Sequence, residues 1–393
     1  MSNRTTRARI IMAGWLAACL MLSTTCLAPA QTCNTRFAVI GDYGLAGQPE
    51  QDVAQLVKRW DADFIITTGD NNYEQGEAAT IDQNIGQYYH EFIGPYLGRY
   101  GAGAVANRFF PALGNHDWVA PGARPYLDYF TLPGNERYYE FVYGPVRLFA
   151  IDSDPNEPDG VRSDSAQASW LRGRLAAAPE PWKIVYFHHP PYSSGLEHGS
   201  TDYMQWPFKE WGATAVLTGH DHNYERIIRD DFPYFVNGLG GRSLYPFSDV
   251  PVAGSRKRYN DDYGAMRVDA TPEQITFKFI TRTGELIDTY KIGGGTRRAP
   301  GEPTNLVATG VGKRTIDLAW AAAGCTHEGF KVEQSDDDVS FKEIANLGGT
   351  VTTYTAEGLA RGTIYSFRVR AYNAAGDSAY SNVVRATTRR KRQ

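Results

Sequence analysis

The chain has 393 residues, of which 42% are hydrophobic and 21% are charged, and its formal net charge is -4. This length exceeds one average domain and accommodates two, and the composition is that of a globular protein. Nucleic-acid binding is not expected, because it would require a basic stripe across the folded part of the chain.

The N-terminal segment, residues 1–30, differs from the rest of the chain. Three arginines come first, then an almost uncharged run, then a small-x-small pattern that suits signal peptidase: Arg4, Arg7, Arg9, residues 10–27 and Ala28-Pro29-Ala30. We predict a cleaved signal peptide and a secreted protein, extracellular or periplasmic, with no membrane span after cleavage. A retained membrane anchor and a lipoprotein processed at Cys19 are the two alternatives.

Two cysteines remain after the predicted cleavage, Cys33 and Cys325. An oxidising compartment would permit a disulfide between them, and two unrelated thiols are an equally open interpretation.

The first domain, predicted at 31–292, contains apolar runs that are typical of buried strands, and five of these runs end in a polar cluster. The runs and clusters are Phe37-Ala38-Val39-Ile40 before Gly41-Asp42, Phe64-Ile65-Ile66 before Gly69-Asp70, 109–113 before Gly114-Asn115-His116-Asp117, Ile184-Val185-Tyr186-Phe187 before His188-His189, and Ala215-Val216-Leu217 before Gly219-His220-Asp221-His222.

Helical patterns lie between some of these runs, at 50–60 and at 165–175. Such alternation favours an α/β architecture with largely parallel, buried strands. Ligands of open α/β sheets bind beyond the carboxyl ends of the strands. The five polar clusters are therefore expected to meet at one place.

A Gly/Pro/Arg-rich linker at 293–302 precedes a second domain at 303–388 and a basic tail at 389–393. Apolar and polar residues alternate in the second domain, which predicts a β-sandwich with Trp320 in its core. Seven of its residues are spaced as in the latter half of a fibronectin type III domain, which the segment resembles: Leu359, Gly362, Tyr365, Phe367, Val369, Ala371 and Asn373.

The polar clusters of the first domain offer two carboxylates, a phenol, an amide and several imidazoles. The side chains at these strand ends are Asp42, Asp70, Tyr73, Asn115, His116, His188, His189, His220 and His222. This oxygen and nitrogen set suits borderline or harder transition metals, and the lack of cysteine among the ligands argues against a thiolate zinc site or an iron–sulfur cluster. A single Gly-Asp step is more often just a capped turn, but five such clusters predict two ions that share one carboxylate.

Five blocks of the first domain resemble, in order, the signature blocks of the purple acid phosphatases, which are calcineurin-like metallophosphoesterases. The blocks are Asp42-Tyr43-Gly44, Gly69-Asp70-Asn71-Asn72-Tyr73, Gly114-Asn115-His116-Asp117, Val185-Tyr186-Phe187-His188 and Gly219-His220-Asp221-His222. Glu197-His198-Gly199 follows the fourth block, as in the small, tartrate-resistant type. The resemblance, over about residues 37–292, implies a β-sandwich flanked by helices.

The resemblance implies a role for each candidate. A ferric ion, Fe³⁺, would be held by Asp42, Asp70, Tyr73 and His222, and a second, divalent iron, zinc or manganese ion by Asp70, Asn115, His188 and His220. His116 and His198 match histidines that contact the substrate phosphate or protonate the leaving group. His189 has no clear counterpart in the small enzymes, and a structural role is favoured for it.

Tyr73 separates this branch from most metallophosphoesterases, which resemble one another in having a histidine where this chain has Gly44. A phenolate is a hard donor that favours ferric iron. Tyr73 is therefore predicted to take the place of the missing ligand and to colour the protein purple or pink.

The resulting prediction is a secreted acid phosphatase that hydrolyses phosphate monoesters of small molecules or proteins by attack of a metal-bound hydroxide, with activity extending to acidic pH. A phosphodiesterase or nucleotidase with two divalent ions is the alternative. A remote third is a non-catalytic adhesion protein. Surface or carbohydrate contact is a possible role of the C-terminal sandwich. Segments 190–192 and 223–226 depart from the small enzymes and leave the substrate range open.

Overall fold

The computed structural model describes residues 34–294, 299–322, 324 and 326–390. The predicted signal peptide, both cysteines of the mature chain, part of the linker and residues 391–393 lie outside the described residues. Within the described ranges, no helix is long and apolar enough to cross a membrane. The predicted domain boundaries stay predictions.

The first domain is built on two mixed β-sheets. Its strands are β1 (Thr35–Ile40), β2 (Phe64–Thr67), β3 (Phe109–Pro111), β4 (Tyr139–Tyr143), β5 (Val146–Ala150), β6 (Trp182–Tyr186), β7 (Ala215–Thr218), β8 (Tyr224–Arg229), β9 (Phe232–Asn237), β10 (Ser255–Tyr259), β11 (Gly264–Ala270), β12 (Gln274–Thr281) and β13 (Leu286–Gly293). One sheet has the order β13-β12-β11-β1-β2-β3, and the other has the order β10-β8-β9-β7-β6-β5-β4.

Helices accompany the two sheets. The α-helices are α1 (Gln48–Lys58), α2 (Gln87–Tyr89), α3 (Asn115–Val119), α4 (Arg124–Tyr129) and α5 (Ala166–Ala177). A π-helical turn covers Asp82–Gly86, and 3₁₀ turns cover His90–Phe92, Pro121–Ala123 and Asp202–Met204. The two helices predicted from periodicity are therefore confirmed as α1 and α5. At the start of α5, the Ser165 hydroxyl accepts a hydrogen bond from the Ala168 N–H at 3.1 Å, which caps the helix.

Parallel pairing is confined to the strands that end in the polar clusters and their neighbours. Strands β1, β2 and β3 run parallel, as do β5, β6, β7 and β9. The other pairs of this domain are antiparallel. For β8 and β9 the reason is local: the two linking residues, Asp230 and Asp231, have φ of 49° and 60°, as a tight hairpin turn requires.

The main hydrophobic core contains residues of both sheets, which therefore form a sandwich. Strand β6 is buried on both faces: Ile184 and Tyr186 belong to this core, whereas Val185 belongs to a second cluster with Leu171 and Leu175 of α5. Burial on both faces explains why the sequence of this strand is a continuous apolar run. The predicted fold class, a sandwich flanked by helices, is confirmed.

The second domain is an all-β sandwich, as predicted. Its strands are β14 (Thr304–Val311), β15 (Ile316–Ala321), β16 (Gly329–Ser335), β17 (Lys342–Gly348), β18 (Thr353–Ala356), β19 (Ile364–Asn373), β20 (Gly376–Tyr380) and β21 (Val384–Thr387). They form sheets β14-β15-β18 and β17-β16-β19-β20, with β21 paired to β19. Trp320 lies in the core. The Tyr365 hydroxyl accepts a 3.0 Å hydrogen bond from the Ala360 N–H, the backbone contact of a tyrosine corner.

Candidate metal centre

Two aspartates lie at the carboxyl ends of adjacent parallel strands. Asp42 follows β1 and Asp70 follows β2, and both side chains are buried, with 0% and 2% of the residue exposed. Both have left-handed backbones, with φ of 55° and 52°, as does His220 with φ of 71°. Non-glycine residues held in this region cluster at functional sites, because the surrounding structure must compensate for their strain.

Backbone N–H groups from two other clusters hold these carboxylates. The His220 N–H donates to Asp42 at 2.9 Å, and the His116 N–H donates to Asp70 at 2.9 Å. The remaining carboxylate oxygens are directed at the other candidate ligands. Each of these two clusters therefore helps to orient a candidate ligand that belongs to another cluster.

Tyr73 brings its hydroxyl into contact with three candidate ligands. Its Oη lies 2.9 Å from Asp70 Oδ2, 3.2 Å from His222 Nε2 and 3.3 Å from Asp42 Oδ1. Burial, followed by the charges of Asp70 and Asp42, raises the pKa of the Tyr73 phenol well above its ordinary value. The phenol therefore needs a strong cation nearby to ionise.

The second group of candidates meets around His188. Its Nε2 lies 3.0 Å from Asn115 Oδ1, 3.1 Å from His220 Nδ1 and 3.3 Å from Asp70 Oδ2. The Thr68 carbonyl accepts a hydrogen bond from His188 Nδ1 at 2.9 Å. This contact directs Nε2 into the centre. The structure thus brings all seven predicted metal ligands together, and Asp70 contacts both groups.

Close packing fixes the ring of His188 as well. Gly69 has φ of 96°, and a Cβ at this position would lie 2.6 Å from His188 Nδ1. Only glycine satisfies both the backbone conformation and this close approach.

His222 is supported by a loop that follows β9. The Ser243 hydroxyl hydrogen-bonds to His222 Nδ1, which leaves Nε2 facing Tyr73 and Asp42. The ring of Tyr245 stacks on the ring of His222, with centroids 4.0 Å apart and planes 4° apart. The adjacent Arg242 lies over the ring of Tyr73, at 5.3 Å from the centroid, and pairs with Glu74.

Sequence reasoning missed this loop at 238–248. It follows the apolar strand β9 with the glycine-rich run Gly238-Leu239-Gly240-Gly241, the same pattern that marked the other five clusters. The backbone N–H groups of Gly240 and Arg242 donate to the carbonyls of Gly41 and Asp42, which fastens the loop to the first cluster.

The two predicted catalytic histidines lie at the accessible rim of the centre. His116 keeps 29% of its side chain exposed, and its Nε2 lies 4.0 Å from Asp70 Oδ2. The Glu74 carbonyl accepts a hydrogen bond from His116 Nδ1 at 2.7 Å. His198 is exposed and stacks on His220, with ring centroids 3.9 Å apart.

His189 lies on the other side of His220, with ring centroids 4.4 Å apart. Burial and then the positive charge of His188 lower the pKa of His189 to about 3. The structural role predicted for His189 is taken up below.

The donor set fits a pair of cations. Ligand atoms of Asp42, Asp70 and His188 lie within 4.8 Å of one another, and all three residues are buried. Among the described residues, only histidines form ion pairs with the two aspartates. Burial by itself lowers the pKa of His188, but Asp70 and then Asp42 raise it to about 10. Two buried carboxylates without lysine or arginine partners call for positive charge.

Comparison with known proteins shows what this chain is similar to. Residues 35–224 match the calcineurin-like phosphoesterases, and residues 301–387 match the fibronectin type III domain. Rat tartrate-resistant acid phosphatase type 5 is 28% identical over 288 residues, which are 63% of this chain and 83% of the relative. Purple acid phosphatase 17 of Arabidopsis thaliana is 26% identical over 291 residues, or 65% of this chain and 83% of the relative.

Two solved structures share the fold of the first domain. Purple acid phosphatase PPD1 from yellow lupin seeds superposes with a TM-score of 0.57 at 20% identity, over 68% of this chain and 55% of that one. GAP50, described as the anchor in the inner membrane complex of Plasmodium, superposes with a TM-score of 0.53 at 22% identity, over 67% of this chain and 89% of that one.

Proposed function

The chain contains a calcineurin-like phosphoesterase domain at residues 35–224, and from this premise we propose that it is a secreted acid phosphatase that hydrolyses phosphate monoesters with two metal ions. The observation that carries the proposal is the convergence of a buried phenol, an amide, two buried carboxylates and three imidazoles on one centre. The relatives named above are acid phosphatases, and the N-terminal sequence supports secretion.

We assign the ions to two overlapping ligand sets. Asp42, Asp70, Tyr73 and His222 would hold a ferric ion, and Asp70, Asn115, His188 and His220 would hold a divalent iron, zinc or manganese ion. The raised pKa of Tyr73 supports the ferric assignment, since a trivalent cation stabilises a phenolate more strongly than a divalent one does. Bound together, two such ions polarise a phosphoryl group and lower the pKa of coordinated water.

His116 and His198 are the residues that protonate the leaving group. The Glu74 carbonyl accepts a hydrogen bond from His116 Nδ1–H, so Nε2 is the nitrogen that exchanges a proton at the rim. His198 stands over the ring of His220 at the exposed side of the centre. Both imidazoles can reach the oxygen of a departing alcohol without entering the buried ligand cluster.

A metal count combined with a substrate panel tests this function. The mature chain is purified, its iron, zinc and manganese are quantified, and hydrolysis of phosphate monoesters and diesters is measured from acidic to neutral pH. We expect two metals per chain, a visible absorption band and a preference for monoesters at acidic pH. Asp70→Asn is the matched control, and it should lose metal and activity together. A strong preference for diesters would overturn the proposal in favour of a phosphodiesterase.

A further inference from the structure

His189 lies against two of the candidate ligands and has no role in the function proposed so far. Its ring centroid is 5.1 Å from that of His188 and 4.4 Å from that of His220. Only 8% of the residue is exposed. Whatever His189 presents to solvent is therefore presented beside the second ligand group.

Ser153 determines which nitrogen of His189 carries the proton. Ser153 is fully buried, and its Oγ lies 2.9 Å from the His189 backbone nitrogen and 2.9 Å from His189 Nδ1. The backbone N–H can only donate, so Oγ accepts there. The hydroxyl proton of a buried serine also needs an acceptor, and among the described residues Nδ1 is the one within reach. Nδ1 is thus an acceptor, and Nε2 carries the hydrogen.

The Nε2–H group of His189 is accessible to solvent. Nε2 makes no hydrogen bond to a described residue. The fully buried side-chain nitrogen and oxygen atoms without a hydrogen-bond partner do not include it. The exposed fraction of His189 therefore includes this nitrogen. A hydrogen-bond donor is held in a single orientation at the edge of the centre, and no acceptor in the described part of the chain satisfies it.

We propose that His189 is a substrate-binding residue whose Nε2–H donates to a non-bridging oxygen of the substrate phosphate, and that Ser153 is the positioning residue that fixes this tautomer. The inference rests on the proposed function, because it takes a phosphate group as the ligand of the centre. Phosphate oxygens are strong acceptors, and an N–H group held in place by a neighbour loses little freedom on binding them.

Binding of inorganic phosphate to the metal-loaded protein tests the proposal by calorimetry, beside kcat and KM for a phosphate monoester. His189→Phe keeps a ring and removes the donor, so we expect phosphate to bind about tenfold more weakly or worse, with metal content unchanged. His189→Gln places an amide N–H near the position of Nε2 and should recover part of this loss. Ser153→Ala removes the hydrogen bond that fixes the tautomer. Its phosphate affinity should lie between those of the wild type and of His189→Phe.

Tyr203→Phe is the matched control. The Tyr203 hydroxyl donates to the Ser153 carbonyl at 3.1 Å, so this variant disturbs the same loop without touching His189, and phosphate binding should not change. Wild-type phosphate affinity in a fully metal-loaded His189→Phe protein would overturn the proposal, and so would loss of metal from that variant, which would make His189 structural. Failure of the wild-type protein to hydrolyse phosphate esters would instead sink the proposed function, while the comparison of phosphate affinities would still report on His189.

Discussion

Tyr73 Oη donates a 2.9 Å hydrogen bond to Asp70 Oδ2, and the same carboxylate oxygen lies 3.3 Å from His188 Nε2. One oxygen of Asp70 thus joins the two ligand groups. The arrangement suits a carboxylate shared by two ions, and among the candidate ligands the phenol contacts Asp42 and His222 besides Asp70.

Tyr73→Phe is therefore expected to affect one ion selectively. The variant should lose the visible phenolate-to-iron band and the ion held by Asp42 and His222, and it should keep the other ion. Absorption spectra and metal analysis of the purified variant give the measurement. Tyr245→Phe is the control, because this ring also contacts His222 but its hydroxyl is not a predicted ligand. A Tyr73→Phe protein that keeps the colour of the wild type would exclude Tyr73 as the source of the band.

Gly44 occupies a position that is packed too tightly for a side chain. A Cβ at Gly44 would lie 2.0 Å from the Asn71 carbonyl oxygen, and the Gly44 carbonyl itself accepts a 2.8 Å hydrogen bond from the Tyr73 N–H. No side chain fits here, so a histidine ligand is excluded at this position. The same close approach places the backbone of Tyr73.

Gly44→Ala should consequently reduce the free energy of unfolding by about 1–3 kcal/mol, the usual cost of overpacking. Gly173→Ala provides the contrast, since Gly173 is exposed in α5 and a Cβ there would meet nothing within 4 Å. That variant should gain roughly 0.5–1 kcal/mol from helix propensity. Urea unfolding of both proteins gives the comparison, and equal stabilities would show that the loop at Gly44 relaxes freely.

The sequence predicted the ligands better than their supports. Asp42 and Asp70 follow paired parallel strands of one sheet, and His188 and His220 follow paired parallel strands of the other. Local pattern therefore indicated which strand ends carry the candidate ligands, whereas the meeting of the two sheets depends on how they pack. Ser243 and Tyr245 could not be predicted in this way. Their contacts with His222 depend on how the loop after β9 folds back, and no local periodicity encodes that path.

The parallel arrangement was likewise predictable only where the clusters lie. The antiparallel hairpins β8-β9 and β12-β13 extend the two sheets beyond the parallel strands. Their pairing follows from short turns, such as the one at Asp230 and Asp231, rather than from the apolar runs. Turn chemistry, read more closely, would have indicated the first of them.

Ser243→Ala should weaken metal binding without altering the fold. Loss of the hydrogen bond to His222 Nδ1 leaves that ring free to turn, and removing such a support costs 10–100-fold in metal affinity. A chelator titration followed by metal analysis should show the ion at Asp42, Tyr73 and His222 released first. Ser248→Ala lies in the same loop and makes no contact with His222, so its titration should match the wild type. If Ser243→Ala and Ser248→Ala each released their two ions together, a specific role for Ser243 would be refuted.

Glu50 provides a test of stability at a residue that is not a predicted metal ligand. It lies in the first turn of α1, it is fully buried, and neither carboxylate oxygen has a hydrogen-bond partner among the described residues. Burial raises the pKa of Glu50 well above its ordinary value of about 4.3. The native state therefore holds this proton to higher pH than the unfolded state does, so stability is greatest below the ordinary pKa and falls as pH rises toward the raised one.

Glu50→Gln removes the ionisable group at nearly constant shape. Its advantage over the wild type in unfolding free energy should be close to zero at pH 4 and grow to about 1–3 kcal/mol at neutral pH, because the unfolded chain releases the Glu50 proton and the native state keeps it, which costs up to about 1.4 kcal/mol for each pH unit above the ordinary pKa. Denaturant unfolding at several pH values, at equal metal content, measures the difference. Glu210→Gln changes an exposed glutamate of the same domain and should leave the pH dependence as it is. A constant offset between Glu50→Gln and wild type at every pH would mean that Glu50 does not titrate with folding.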